Sequence, residues 1–261
     1  MKKKILAMCL VIALATTAIA GATLAYFTDT DAADNTFAVG GVEIKLIEQQ
    51  RNKDKTDLEK FENNKVLMPI VGSAQGEKDK FGQPVAANYC DKMITVKNTG
   101  KSDAYVRLFV GIPAVLDDGV PSFNASKNAL HFNFGNFKGT DGKWHTTYKN
   151  QWSWNAPDGS WYYFDTTIGE DGVKYNIYYA YYQKVLAPND VTEQAVSGLY
   201  LDKGIDTNAE GNLTMGGEDL GWKANATIKM PVFAQAVQAA GFASAEAAFA
   251  ESGLPENPWI A

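Results

Sequence analysis

The sequence predicts an all-β protein: a β-sandwich of jelly-roll type with a short C-terminal helix, preceded by an N-terminal signal helix. Three observations carry that expectation. Apolar residues alternate with polar ones over short stretches, as at Phe37 and Val39 and then, one step out of phase, at Val42, Ile44 and Leu46. Turn signals separate such stretches, among them Asn98-Thr99-Gly100, Asp158-Gly159 and Asp171-Gly172. Aromatic residues crowd the region from Trp144 to Tyr182, and rings favour pleated, half-buried surfaces.

Taken in order, residues 36–47 read as one strand with a bulge at Gly40-Gly41. The charged residues 48–64 read as a loop or a surface helix around Leu58 and Phe61, and 72–88 as a loop. Residues 93–97 form a strand, 98–102 a turn, and 104–112 a second strand. That second strand is nearly continuous in apolar character apart from Arg107, as expected near the middle of a sheet. Residues 131–137 alternate, with Phe132, Phe134 and Phe137 marking the apolar positions. Residues 161–168 and 173–184 pair as a hairpin around Gly169-Glu170-Asp171-Gly172. Residues 196–201 are a strand, 202–221 a Gly/Asn/Asp-rich loop, and 226–237 a last strand whose Pro231 points to an edge or bulge. Ser244 then caps a short helix through Ala250.

The N-terminus has a different character. Lys2-Lys3-Lys4 precedes an uncharged run over residues 5–24, with small residues Ala20, Ala22 and Ala25 near its end. That order is a secretory signal, residues 1–25, followed by a single domain over 26–261. The alternative is an uncleaved anchor, since twenty such residues also suffice to cross a bilayer, although alanines dilute this run. Export places the domain outside the cell. Without the leader, 21 basic residues face 30 acidic ones, a net charge of −9, which argues against nucleic acid or anionic lipid as a partner. Cys90 is the only cysteine beyond the leader, so no internal disulfide forms.

Catalytic motifs are scarce. Only His131 and His145 are present, with no His-Glu-x-x-His element to place two imidazoles and a base on one helix face. No Gly-x-Ser-x-Gly element, phosphate loop or dinucleotide fingerprint occurs, so no cofactor is expected. Asp206, Asn208 and Glu210, followed by Gly211, open like a calcium loop, but Gly217 holds the place of the bidentate glutamate. A solvated turn explains the same residues. Trp144, Trp152, Trp154 and Trp161 are candidates for an aromatic contact surface toward glycans or a protein neighbour; the alternative is that they fill a core.

One resemblance joins these observations. Gly21-Ala22-Thr23-Leu24-Ala25-Tyr26-Phe27-Thr28-Asp29, followed by Asn35-Thr36-Phe37-Ala38-Val39-Gly40, resembles the TasA/camelysin family of secreted proteins from Gram-positive bacteria. Thr95-Val96-Lys97-Asn98-Thr99-Gly100 and the segment from Thr227 to Gln238 are similar to a strand-turn element and a closing strand of that family. The resemblance implies a jelly-roll domain exported to the extracellular matrix or cell surface. It would be a non-catalytic subunit of a fibre or biofilm matrix, polymerising with itself. It implies cleavage between Ala25 and Tyr26 by a SipW-like signal peptidase. Residues 26–37 would then be donated as a strand to the next copy, with Phe27 and Phe37 as anchors beside Tyr26 and the 227–238 strand completing the sheet. Asp29, Asp31 and Asp34 lie between those anchors and are costly to bury. Other matrix proteins or glycans are further candidate partners. Two alternative functions stand beside this one: a carbohydrate-binding surface module, and a metallopeptidase, as camelysin-like relatives have been classed.

Overall fold

The computed structural model describes residues 28–32, 35–37, 41–62, 65, 67–117, 128–134, 136–138, 144–146, 151–153, 162–169 and 172–257. At residues 28–32, 35–37, 134, 136–138, 144–146 and 162–168 it describes the backbone alone. The expected signal segment, the cleavage point at Ala25-Tyr26 and the anchor Phe27 lie outside the described residues, as do Trp154 and Trp161.

Two antiparallel sheets form the sandwich. The larger contains β1 (Thr28–Ala32), β2 (Asn35–Phe37), β6 (Ala104–Pro113), β10 (Trp152–Ser153), β11 (Tyr162–Ile168), β12 (Lys174–Tyr182) and β17 (Val232–Gln238). They are ordered β10-β12-β6-β17-β1-β2, with β11 also paired to β12. The smaller runs β4-β3-β5-β13-β7, from β4 (Leu58–Lys60), β3 (Ile44–Arg51), β5 (Cys90–Asn98), β13 (Val196–Leu201) and β7 (Leu130–Phe134). Consecutive strands cross between the two sheets at β2–β3, β5–β6, β6–β7 and β12–β13, the alternation of a jelly roll. A short hairpin, β8 (Asn136–Lys138) with β9 (Trp144–Thr146), and a meander of β14 (Ile205–Thr207), β15 (Asn212–Met215) and β16 (Glu218–Lys223) stand beside them.

Strand β6 shows why the sequence folds this way. All ten of its residues are buried. Val106, Leu108, Val110 and Ile112 join the core between the sheets, with Ile44, Ile94, Val96, Tyr178 and Ala234. The alternate residues face outward, Phe109 against Ile177 and Tyr175, and Tyr105 against the helix α1 (Ala245–Glu251) through Ala248 and Phe249. A strand covered on both faces needs apolar residues at nearly every position, which is the pattern read from 104–112. Each large side chain so buried contributes about 2–3 kcal/mol. Ser244 caps α1 as expected, its hydroxyl accepting from the Ala247 amide at 3.2 Å. The β11–β12 hairpin also forms where the sequence placed it, closed by bonds between Gly169 and Val173 and between Gly172 and Gly169.

Five expectations are corrected. Residues 36–47 are two strands in different sheets, β2 and β3, so the phase shift at the glycines marks a crossing and not a bulge. Residues 48–64 hold the end of β3 and its hairpin partner β4, with Arg51 opposite Leu58. Residues 131–137 divide between β7 and β8. Residues 202–221 are no open loop: Asp206 pairs with Thr214, and Met215 with Glu218, in the three-stranded meander. The last strand also starts later than read, at Val232, because Pro231 has no amide to give to a ladder; its carbonyl instead accepts from Gly111 at 2.9 Å. A Cβ at Gly111 would lie 2.8 Å from the Pro231 ring, so glycine is required there.

Candidate assembly edge

β17 lies between two neighbours. On one side it pairs with β6 from Val232↔Val110 to Gln238↔Ala104. On the other it pairs with β1 from Thr28↔Val237 to Ala32↔Phe233. β2 folds back on β1, with Thr30↔Phe37 and Ala32↔Asn35 in register. The expected assembly segment is therefore a hairpin of two short strands, not one extended strand, and it is docked in the sheet of its own chain. Backbone geometry explains the site chosen: without β1, β17 would present a row of unpaired amides and carbonyls at an edge.

The face of β17 toward the second sheet is apolar and small, with Ala234 and Ala236 fully buried in the core. Asp29 and Asp31 hold the register positions opposite Ala236 and Ala234. The outer face is clamped. Arg107 is buried, its Nε donating to the side-chain Oε1 of Gln235 at 2.6 Å and its Nη2 to the Pro255 backbone carbonyl at 2.8 Å. Its guanidinium lies over Phe249 at 4.4 Å and Phe109 at 5.2 Å. Burial pulls the Arg107 pKa below the ordinary arginine value. The C-terminal helix and tail are thus tied through one cation to the middle of β17.

The Asn98-Thr99-Gly100 turn holds the root of the hairpin. Asn98 is fully buried; its Oδ1 accepts from the Gly100 amide at 2.9 Å, and its Nδ2 donates to the Ser102 and Leu186 carbonyls, both at 2.8 Å. The Thr99 and Gly100 amides donate to the Glu43 carbonyl at 2.7 and 3.0 Å, and those of Lys101 and Ser102 to the Gly41 carbonyl, both at 2.9 Å. The sequence marked this segment as a turn. Its contacts with residues 41–43 and 186 are long-range and leave no local signature.

The other candidate residues are dispersed. Trp152 is fully buried, its Nε1 donating to the Glu193 carbonyl at 2.8 Å, so it fills the core and is removed from any contact surface. Trp144 lies on β9. Asn208 accepts from the Asn212 amide and donates to Asp219 Oδ2, each at 2.8 Å, and the Glu210 carbonyl accepts from Lys223 Nζ at 2.6 Å. These are contacts that hold the meander together.

Other buried polar groups serve structure as well. Asp117 accepts from Tyr178 Oη at 2.5 Å and from Asn176 Nδ2 at 2.8 Å. Arg51 spans Asp91, with its Nε and Nη2 each at 2.7 Å, and Asp79 at 2.8 Å, joining β3, β5 and the loop between β4 and β5. Burial alone would raise the Asp79 pKa, but the Arg51 bond and the Gln83 and Phe81 amides outweigh it and hold the carboxyl below its usual value. Cys90 is half-buried, and its thiol is pushed up to about 11, chiefly by desolvation, which leaves little thiolate at neutral pH.

Residues 1–57 match the family described as camelysin metallo-endopeptidase. No curated protein and no solved structure matches the chain. That description implies a metal, and the donors described here do not fit one. His131 Nε2 lies 3.1 Å from Asp202 Oδ2 and its ring stacks on Tyr200 at 4.9 Å, while His145 lies on β9. Among the described residues, no group of three or more His, Cys, Asp or Glu is placed to hold a metal ion. No helix among them is long and apolar enough to cross a membrane. The matched stretch takes in the β1–β2 hairpin and β3, and over it the chain is similar to the camelysin family, in line with the resemblance read from the sequence.

Proposed function

We propose that the protein is an exported, non-catalytic structural subunit of an extracellular fibre or biofilm matrix. Its copies would join when residues 28–37 leave their own β17 and add to the β17 of the next molecule. The observation supporting this reading is the composition of β1. Its sequence, Thr-Asp-Thr-Asp-Ala, lies between β17 and the edge strand β2 and has no large apolar residue. Its attachment is then mainly a backbone ladder, and an identical ladder forms with another copy. Exchange keeps the number of hydrogen bonds constant, so concentration and release of the hairpin decide between monomer and polymer. Cleavage by a SipW-like peptidase would free the hairpin's N-terminal end, and other matrix proteins or glycans would meet the finished fibre.

The test is negative-stain microscopy of protein beginning at Tyr26, beside a variant lacking residues 26–37. Filaments from the first and none from the second support the proposal. Monomer alone from the first, at every concentration and pH tried, overturns it. The family description favours a second reading, a metal-dependent peptidase. Chelator-sensitive proteolysis by pure protein, lost in His131→Ala or His145→Ala, would establish that reading instead.

A further inference from the structure

The chain passes from β2 in the large sheet to β3 in the small one, and residues 41–43 on that path are gripped by four backbone hydrogen bonds from residues 99–102. We infer that the Asn98–Ser102 turn is a clasp that fixes the root of the N-terminal hairpin, so that β1 and β2 detach as a unit while β3 stays in its sheet. The inference rests on the strand-exchange reading for why the hairpin should detach at all. The clasp itself stands on geometry alone.

Three features make the turn a clasp and not merely a link between β5 and β6. Backbone meets backbone there: a Cβ at Gly100 would lie 2.6 Å from both the Glu43 nitrogen and the Gly41 oxygen. Gly41 has φ of 106°, a conformation that other residues rarely adopt, so the gripped strand is shaped for the grip. The turn is rigid from within, because the buried Asn98 amide joins it to Leu186 while the Asn98 backbone exchanges bonds with Asp190 and Asn189. On the far side of the grip, Val42 and Ile44 are fully buried. An opening that starts at β1 therefore meets a barrier at Gly41. Without the clasp, the next ladder to open is β3 with β5, and exchange between copies would unravel the donor's own sandwich.

Hydrogen exchange of the protein beginning at Tyr26, read by mass spectrometry at a concentration where it is monomeric, tests this directly. Thr30→Pro displaces the hairpin by breaking its ladder. Amides of 28–37 should lose protection, while those of Ile44–Arg51 stay within about threefold of wild type, a local opening. Asn98→Ala should speed exchange at residues 44–47 by about tenfold or more with β6 and β12 unchanged, since each lost buried hydrogen bond weakens local closure by about that factor. Gly100→Ala forces the two backbones apart while keeping Asn98, and should give the same pattern should Asn98→Ala fail to fold. Exchange in β3 rising together with the hairpin in Thr30→Pro would overturn the inference. So would unchanged exchange at 44–47 in Gly100→Ala. These readings need only monomer, so a failure to form filaments would count against strand exchange and leave the clasp standing.

Discussion

The two flanks of β17 make the same kind of ladder and differ in almost everything else. Toward β6, the register runs from Val232 to Gln238, and every residue of β6 is buried between the core, α1 and the aromatic side chains of β12. Toward β1, the register runs from Phe233 to Val237 against a strand of threonine, aspartate and alanine. A backbone hydrogen bond lost to water costs only about 0.5–1.5 kcal/mol net, because water replaces it. Buried apolar surface has no such substitute. Hydrogen bonding therefore specifies where a strand lies, and side-chain burial decides whether it stays. On the strand-exchange proposal one flank of β17 is permanent and the other exchangeable, although their backbone ladders are of the same kind.

Substitutions on the two flanks should separate accordingly. The largest effect belongs to Leu108→Ala on β6. Leu108 is fully buried in the main core, and its truncation should destabilise the monomer by about 2–5 kcal/mol in urea unfolding. Leu108→Met should cost less than about 1.5 kcal/mol, since volume is nearly kept. A Leu108→Ala cost no greater than that of a β1 substitution would break the comparison at its root. Arg107→Ala follows. It takes this donor from Gln235 Oε1 and the Pro255 backbone carbonyl and empties the space between Phe249 and Phe109. A loss of about 2–3 kcal/mol is expected, with cleavage of the segment after Ser244 by added protease as the local sign. Resistance of that segment in Arg107→Ala would show that α1 is held by its apolar face alone.

The permanent flank was also the legible one. Residues 104–112 announce a central strand because burial on both faces demands an unbroken apolar run, and the β11–β12 hairpin because Gly172 supplies the turn. The exchangeable flank was legible only as β-forming sequence with a family resemblance. Which strand accepts it depends on which edge the completed sheet leaves open, and that is a property of topology. The misreading of 36–47 has the same origin. An alternation that changes phase at glycines describes a bulge and a crossing between sheets equally well. The meander over 202–221 was missed because only Ile205 and Leu213 are buried there, too few to show a period. Asn98 reads as an ordinary turn residue, and its buried bond to Leu186 lies 88 positions away.

A smaller effect, remote from both flanks, sharpens the contrast. The Asp79 carboxyl has a folded-state pKa below its unfolded value. Its contribution is therefore complete above about pH 3.9 and is lost as pH falls through the lower, folded-state value. Stability should decline in that acid window, and Asp79→Asn should remove this part of the decline while costing about 1–2 kcal/mol at neutral pH. Hydrogen exchange should place the neutral-pH loss in β3, β5 and the loop between β4 and β5, where Arg51 joins Asp79 to Asp91, and leave the β6–β17 ladder unchanged. Equal losses across both sheets would mean that the sandwich opens as one cooperative unit.

The smallest change in stability belongs to Thr30→Pro. Thr30 pairs with Gln235 on one side and Phe37 on the other, so whichever neighbour its amide serves, the proline removes a ladder bond at the hairpin's centre. With no large side chain committed at β1, unfolding of the monomer should shift by less than about 1 kcal/mol. Assembly should respond quite differently. In a fibre each junction would depend on that same short ladder, and the defect would recur at every subunit, so filament yield should fall to background in microscopy and sedimentation. A monomer destabilised as severely as Leu108→Ala would make β1 an integral strand of the core. Filaments growing normally from Thr30→Pro would place the junction somewhere other than the β1–β17 edge.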